Sequence, residues 1–326
     1  ATSGTQARSM VAPPASRPLG RMEAYEELTR AVRAALETYS NVHRGSGHYS
    51  LVTTRLYERA RELVLEYLGL EPAAHEVVFG SPRRIERLAA VMRTAPVRIL
   101  SSEELGLPRG VRALVAKCRA FPRGVPGEGG GGTARLVSPG GVLWARAPYR
   151  YEAGTPSILN VIAFAKALHM ERQSGPGLFR CPGAKPPTVD DLLRPGELGG
   201  ATGRALLDIL RKTLPGRGAL VPTAEGERAF INLDHAASTP AFAPAWDAAA
   251  LAWRLPAAAR PALVERTSAI CAAALGASTA SYEILFTSNT TEAINLAAEN
   301  LRLGAEPGVE PVVVNTLLEH NSNELP

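Results

Sequence analysis

The chain has 326 residues, of which 45% are hydrophobic, and it carries a formal net charge of +5 at pH 7. This length and composition exclude a disordered protein and allow one large core or two smaller ones. No apolar run approaches the ~20 residues of a membrane-spanning helix and no signal-peptide pattern opens the sequence, so we expect a cytoplasmic protein without a membrane partner. The arginines are scattered, without aromatic residues between them for stacking, which disfavours a nucleic-acid partner.

The first part of the chain combines a segment without periodicity and two helices. Residues 1–20 are rich in Ala, Ser and Pro, which predicts a flexible tail. Amphipathic helices are predicted at about 23–39 and 54–68. The polar loop between them carries His43 and Arg44, and its composition leaves open whether it is a solvated connection or a binding loop.

The middle of the chain alternates between apolar elements and segments rich in glycine. A strand is predicted at 76–79, and a strongly apolar helix at 157–172 is assigned to the core. Thr155 stands just before that helix and is a candidate for its N-cap. Residues 174–228 are dense in Pro and Gly, which predicts an irregular connector with one short helix.

The last part of the chain has an order of elements similar to the first. Helices are predicted at 246–253 and 261–275, followed by a strand at 283–286 that leads through a polar turn into another helix. We therefore predict two related modules, at 21–173 and 229–326, in which the strands at 76–79 and 283–286 take equivalent places.

The polar turn of the second module, F-T-S-N-T-T-E from residue 286, has the features of an anion site. The first N–H groups of a helix are unpaired and lie at the positive end of its dipole, so Thr290 and Thr291 would add hydroxyls to a phosphate site. A simpler interpretation stays open, in which Ser288, Asn289 or Thr290 only caps the helix.

Two flanking segments extend this pattern. I-N-L-D-H-A-A-S-T-P begins at residue 231, and V-V-V-N-T-L-L-E-H-N-S-N-E-L-P begins at residue 312. In this order the three segments resemble the opening of class V aminotransferase-fold enzymes, the pyridoxal-phosphate family that includes cysteine desulfurases and selenocysteine lyases. The resemblance implies an α/β fold of the fold type I transferase kind and pyridoxal 5'-phosphate as cofactor.

The resemblance also implies roles for individual residues. Thr290 and Thr291 would bind the cofactor phosphate, and His320 would stack on the pyridine ring as the candidate catalytic residue. A substrate or interface loop is assigned to the D-H-A string, which consists of Asp234, His235 and Ala236.

The first module resembles the same family but departs from it at one decisive position. N-V-H-R-G, with His43 and Arg44, resembles a loop at the dimer interface, and R-Y-E-A-G-T-P resembles the segment whose threonine, here Thr155, reaches the phosphate bound by the other subunit. Residues 99–115 resemble the string around the Schiff-base lysine, with Glu104 in the place of the lysine. Because a carboxylate cannot form an imine, we interpret this module as degenerate. Residues 79 and 101 are separated by only about twenty residues where the family has its cofactor-binding domain, so we also expect the module to lack that domain.

The first module keeps the interface segments and lacks the threonine turn, whereas the second module keeps the threonine turn and lacks the interface loop. We therefore predict that they form an intramolecular pseudo-dimer or a homodimer. This arrangement would bring Thr155 and the His43 loop toward Thr290, Thr291 and His320. The second module stops directly after its E-H motif and the chain does not open with Met, so we expect a fragment of a longer protein.

The leading functional interpretation is a pyridoxal-phosphate enzyme acting on a small amino acid, with cysteine desulfuration as the first candidate and this chain inactive by itself. The alternative is a non-catalytic pseudoenzyme that serves as a dimerisation or regulatory module. Cys118, Cys181 and Cys271 are widely spaced, which predicts free thiols and no metal site, and none matches the family's persulfide cysteine.

Overall fold

The structure, a computed structural model, describes residues 20–43, 45–108, 110–138, 140–180, 185–194, 200–304, 308–309, 312–316 and 318–326. Of the sequence-based predictions, the tail at 1–19, Arg44 and Cys181 lie outside the described residues. The fold is mixed α/β. None of the described helices is long and apolar enough to cross a membrane.

Two long helices open the fold, α1 at Arg21–Glu37 and α2 at His48–Leu68. Helix α2 begins six residues before the predicted start, because polar side chains of its first turns find partners in the preceding loop. The Thr53 hydroxyl donates to the Thr38 carbonyl at 2.8 Å, and the Ser50 hydroxyl donates to the Asn41 carbonyl at 2.8 Å. These bonds fix the loop that carries His43 against α2.

A three-stranded antiparallel sheet follows, with β1 at His75–Gly80, β2 at Arg98–Ser101 and β3 at Arg112–Lys117 in the order β1, β3, β2. Helix α3, at Pro82–Val91, starts directly after β1 with Ser81 as its N-cap. Alternate residues of β1 point to opposite faces, so Val77 and Phe79 join one apolar cluster and Val78 joins the other. The predicted strand at 76–79 is confirmed, and both faces of β1 are buried at its centre.

Helix α4, at Ile158–Ser174, packs in the main core together with α1 and α2. Its N-cap is Ser157 without a side-chain bond, so the interpretation of Thr155 as the cap is wrong. Thr155 lies two residues before this N-cap, with Pro156 between them. The hairpin between α3 and α4 consists of β4 at Ala134–Ser138 and β5 at Gly141–Trp144.

The remaining elements are mostly helical. The predicted connector contains more structure than one short helix, because a hairpin lies at its end. In chain order the elements are α5 at Val189–Leu193, α6 at Gly203–Thr213, β6 at Leu220–Thr223, β7 at Gly226–Ala229, α7 at Ala243–Ala252, α8 at Arg260–Ala274, α9 at Thr290–Leu303 and α10 at Asn321–Glu324.

Early and late parts of the chain share one core. Trp246 on α7 and Trp253 just after it are almost fully buried in the same apolar cluster as α1, α2 and α4. Arg33 of α1 lies 3.9 Å from Asp247 of α7 at the surface above this contact. The predicted second module is therefore packed on the first.

The predicted strand at 283–286 is not formed. The segment has no strand partner among the described residues, and Leu285 and Phe286 are 71% and 57% exposed. Val312, Val313 and Val314 are exposed as well. An apolar, extended segment becomes a strand only when a neighbour supplies backbone hydrogen bonds, so the predicted structural equivalence of 76–79 and 283–286 is wrong.

Candidate functional site

Two adjoining cavities lie where residues 129–156 meet residues 288–322, a contact that we call the junction. Cavity A has a volume of about 570 Å³ and is lined by His43, Tyr149, Glu152 and Gly154 together with His320. Cavity B has a volume of about 990 Å³. Its polar lining includes Thr155, Asp234, Ser288, Asn289, Thr290, Thr291 and His320.

The turn before α9 is held by Asn289. The Asn289 Oδ1 accepts from the Glu292 N–H at 2.9 Å and caps the helix, while its Nδ2 donates to the carbonyls of Ala153 and Thr155, each at 3.0 Å. One side chain therefore starts α9 and ties it to the segment that carries Thr155. Of the three N-cap candidates in the turn, the structure selects Asn289.

Thr291 is built into the junction. It is 3% exposed, and its hydroxyl lies 2.7 Å from the Ser322 hydroxyl. A Cβ atom at Gly130 would lie 2.3 Å from Thr291 Cγ2, and one at Gly154 would lie 2.7 Å from Thr291 Oγ1. Both positions therefore require glycine, and both glycines have φ in the range that favours it, +145° and +80°.

Thr290 has a different environment from its neighbour. It is exposed at the first position of α9 and lines cavity B. Its hydroxyl has no hydrogen-bond partner among the described residues, so it is available to a ligand in a way that the Thr291 hydroxyl is not.

His320 lies between the two cavities and lines both. Its Nδ1 accepts from the Ser322 N–H at 3.1 Å and caps α10. Because Nδ1 accepts, the neutral ring carries its proton on Nε2. The cap orients the imidazole at the cavity wall, so capping and a functional role are compatible.

His43 lies at the other end of cavity A in a left-handed conformation, with φ of 58°. A non-glycine residue in this conformation is uncommon and often marks a functional position. Its Nε2 lies 3.0 Å from Glu58 Oε1, and its ring centre lies 4.7 Å from that of Tyr149. Burial alone would raise the pKa of Glu58, but hydrogen bonds from His43 and Arg61 outweigh burial and lower it.

A buried ion pair supports the wall of cavity A and was missed at the level of sequence. Arg61 Nη1 and Nη2 donate to the two carboxylate oxygens of Glu152 at 2.9 and 2.7 Å, and the Phe79 N–H donates to the same carboxylate at 2.7 Å. Burial alone would lower the pKa of Arg61, but the charge and hydrogen bonds of Glu152 raise it. Arg61 stands on the apolar face of α2, and a charged residue in such a position is the sequence feature that could have revealed this pair.

A second missed residue, Glu292, joins the starts of two helices. Its Oε1 accepts from the Ser81 hydroxyl, the N-cap of α3, at 2.7 Å, and its Oε2 accepts from the Ser288 N–H at 2.8 Å and from the Ser288 hydroxyl. Burial alone would raise the pKa of this carboxyl, but the hydrogen bonds from Ser288 and Ser81 lower it below its ordinary value of 4.5. The anion is stabilised where two helix N-termini converge.

We expect Glu292→Gln to destabilise the folded chain by about 1.5–3 kcal/mol at neutral pH, because it removes charged hydrogen bonds. A lowered pKa in the folded state means that the stabilisation is present above the ordinary value of 4.5 and is lost as the pH falls through the lower folded value. Denaturant unfolding from pH 7 to pH 3 should therefore show the variant and the parent chain converging in acid. The role of the Glu292 carboxylate would be contradicted if the difference in unfolding free energy between variant and parent stayed constant with pH. It would also be contradicted if the exposed control Glu265→Gln showed the same loss of stability.

The other sequence-predicted residues are divided between the cavities and the surface. Asp234 and Ala236 line cavity B, whereas His235 lines neither cavity and contacts Thr239 instead. Glu104 lies in an exposed turn outside both cavities, where its backbone carbonyl accepts from Arg180 Nε. The structure thus brings together Thr155, the threonine turn and His320, and it leaves Glu104 apart.

Comparison with known proteins connects these segments to one family. Residues 98–176 and 257–326 match the family model described as Aminotransferase class-V. The chain is therefore similar to this family in two separate segments, and these segments supply both sides of the junction. Among the residues that the structure describes, no group of three or more His, Cys, Asp or Glu could hold a metal ion.

Two curated relatives of this chain are cysteine desulfurases. One from Klebsiella pneumoniae is 36% identical over 78 residues, which is 24% of this chain and 19% of the relative, and one from Cronobacter sakazakii is 39% identical over 71 residues, 22% and 18% of the two chains. The matched stretch thus spans about a fifth of these relatives. The apo structure of a cysteine desulfurase from Thermococcus onnurineus aligns with 47% of this chain and 66% of its own, at 18% identity and a TM-score of 0.35.

Proposed function

We propose that the junction binds pyridoxal 5'-phosphate and is part of an enzyme that acts on a small amino acid, with cysteine desulfuration as the first candidate. The observation that carries the proposal is the convergence of Thr155, Thr290 and His320 on one cavity at the start of α9. The family of the two matched segments and the relatives that they resemble support the same cofactor.

The start of α9 fits the phosphate end of this cofactor. Helix α9 has 14 residues, so its N-terminus presents a developed positive dipole to cavity B. The free hydroxyl of Thr290 lies at this end and would donate to a phosphate oxygen. Thr155 lines the same cavity from the other side of the junction.

His320 fits the face of an aromatic ring. Its imidazole is held by the α10 cap, and its Nε2–H remains to donate to a ligand in cavity A or cavity B. A planar imidazole packs well on a pyridine ring and exchanges protons near neutral pH. In this proposal His320 orients the ring and moves a proton at Nε2.

The described residues that line cavities A and B do not include a group that could hold the cofactor covalently. No lysine lines either cavity among the described residues, and Glu104, which we assigned to the lysine position of the first module, lies at the surface. When bound, pyridoxal phosphate supplies an electron sink for a carbanion at the amino-acid Cα. In this chain we propose reversible binding through the phosphate and the ring face, without an imine.

The proposal is tested by titrating the chain with pyridoxal phosphate and following cofactor absorbance. Loss of a hydrogen bond to a charged phosphate costs about 1.5–3 kcal/mol, so Thr290→Ala should weaken binding roughly tenfold or more. Thr267→Ala is the matched control, because Thr267 lies on α8 outside both cavities and its hydroxyl donates to the Leu263 carbonyl of the same helix. Unchanged affinity in Thr290→Ala would refute the site.

Borohydride reduction tests the absence of an imine in the same samples. We expect only scattered labelling of surface lysines. Stoichiometric labelling of one peptide would overturn the proposal of reversible binding and would identify the anchoring lysine.

One observation favours a second candidate, a non-catalytic pseudoenzyme. The Thr291 hydroxyl and the Asn289 amide are used in bonds that hold the junction together, so the turn has a structural role without any ligand. We propose on this basis that the two matched segments associate as an intramolecular pseudo-dimer. No saturable binding of pyridoxal phosphate, in a chain whose junction is intact by amide exchange, would select this candidate.

A further inference from the structure

A third cavity, which we call cavity C, lies beyond the end of β3. It has a volume of about 580 Å³ and is lined by Glu76, Cys118, Phe121, Arg123, Arg146 and Arg150. Thr155, the α9 turn and His320 do not line it, and it shares only Arg146 with cavity A among the residues that the structure describes. The proposed cofactor site therefore does not account for it.

The charge of cavity C is strongly asymmetric. Three guanidinium groups face one carboxyl group, Glu76, whose pKa is raised by burial. Within the described part of the chain, the guanidinium groups of Arg123 and Arg146 have neither a carboxylate within ion-pairing distance nor a hydrogen-bond acceptor. Other exposed arginines of this protein do form ion pairs, for example Arg59 with Glu62 and Glu66.

Arg150 is held in place by the backbone. Its Nε donates to the Ala145 carbonyl at 2.7 Å, and its Nη1 donates to the Gly124 carbonyl at 3.2 Å. A carbonyl pair of this kind orients the guanidinium without neutralising its charge. The Tyr151 hydroxyl also interacts with this guanidinium, and the remaining N–H groups of the fork can donate to an acceptor with little conformational entropy to lose on binding.

We propose that cavity C is a binding site for a small polyanion that carries phosphate or carboxylate groups. Arg123, Arg146 and Arg150 supply the fork-shaped donors that match such oxygen pairs, and Phe121 supplies an apolar surface for the body of the ligand. The volume is in the usual range of small-molecule sites, about 300–1,000 Å³.

The test is calorimetric titration of the full chain with pyrophosphate and, separately, with citrate at constant ionic strength. We expect one saturable site for at least one of the two anions, and the comparison of the two distinguishes phosphate from carboxylate recognition. Arg123→Gln should weaken binding about tenfold or more, the loss expected for one charge-assisted hydrogen-bonded contact. Arg123→Lys, which keeps the charge and loses the fork, should weaken it less.

Two control variants locate the binding. Arg55→Gln removes an exposed positive charge outside all three cavities, and Thr290→Ala alters cavity B; both should leave the affinity for the polyanion unchanged. The inference is overturned if neither anion binds saturably, if Arg55→Gln weakens binding as much as Arg123→Gln does, or if Thr290→Ala abolishes binding. The last result would place the anion in cavity B, so failure here is distinguishable from failure of the cofactor proposal.

Discussion

Replacing Glu152 with Ala is expected to lower the free energy of unfolding by about 3–5 kcal/mol, the usual cost of breaking a buried ion pair by removing one partner. The side chains of Arg61 and Glu152 are 7% and 5% exposed, so water cannot replace the lost carboxylate. The variant removes the carboxylate that accepts from both Nη atoms of Arg61 and from the Phe79 N–H, and Arg61 keeps only the Val77 carbonyl and the more exposed Glu58 as acceptors among the described residues. Equilibrium unfolding in urea, followed by circular dichroism, measures the effect.

Two further variants separate burial from charge. Glu62→Ala breaks an exposed pair with Arg59 and should change stability by less than about 1 kcal/mol. The double variant Arg61→Met with Glu152→Leu removes both charges and should be more stable than Glu152→Ala, since no buried charge remains unpaired. A loss in Glu152→Ala as small as that in Glu62→Ala would show that the pair is not buried in solution.

A second large effect is expected for Gly130→Ala, which should lower the free energy of unfolding by about 2–5 kcal/mol through overpacking and backbone strain together. The new methyl group would lie 2.3 Å from Thr291 Cγ2, so either residue 130 or the start of α9 has to move. Hydrogen exchange should show faster exchange in residues 288–322 of the variant, because these residues form one side of the junction.

The chain offers a matched control for this substitution. Gly141 has φ of +142°, close to the +145° of Gly130, but a Cβ atom there would have no neighbour within 4 Å. Gly141→Ala therefore carries the backbone strain without the clash and should be more stable than Gly130→Ala by about 1–3 kcal/mol. Adding Thr291→Ser to Gly130→Ala removes Cγ2 and keeps the hydroxyl, so it should recover part of the loss. Equal stability of the two alanine variants would contradict the close contact.

The elements that could be predicted from the sequence are those whose pattern is complete within one segment. The short helix of the connector and the strand at 76–79 have the apolar periodicity of their class, and both are present, as α6 and β1. The segment 283–286 has an equally good strand pattern, yet a strand depends on a partner that local sequence does not specify. The hairpin of β6 and β7 was missed because its exposed strands lack an apolar alternation.

The same limit applies to the candidate site. The threonine turn, Thr155 and His320 could be found because each stands in a recognisable motif. The contacts that hold them together were not visible, since Ser81 and Glu292 are 211 positions apart and Arg61 and Glu152 are 91 apart. Sequence patterns report local spacing, and the pairing of distant polar groups is settled by the packing of the whole chain.

The junction has a consequence for how the candidate site responds to dilution. In a two-chain dimer, a shared site disappears when the protein concentration falls below the dissociation constant. Here Gly130 and Thr291 belong to one polypeptide, so their contact closes a loop of the chain. The entropic cost of closing this loop grows only slowly with the number of residues in it. The effective concentration of residues 288–322 around residues 129–156 is set by the length of the chain that connects them, so it stays the same in a dilute solution. The two halves of the site are therefore always present in a one-to-one ratio, whatever the amount of protein.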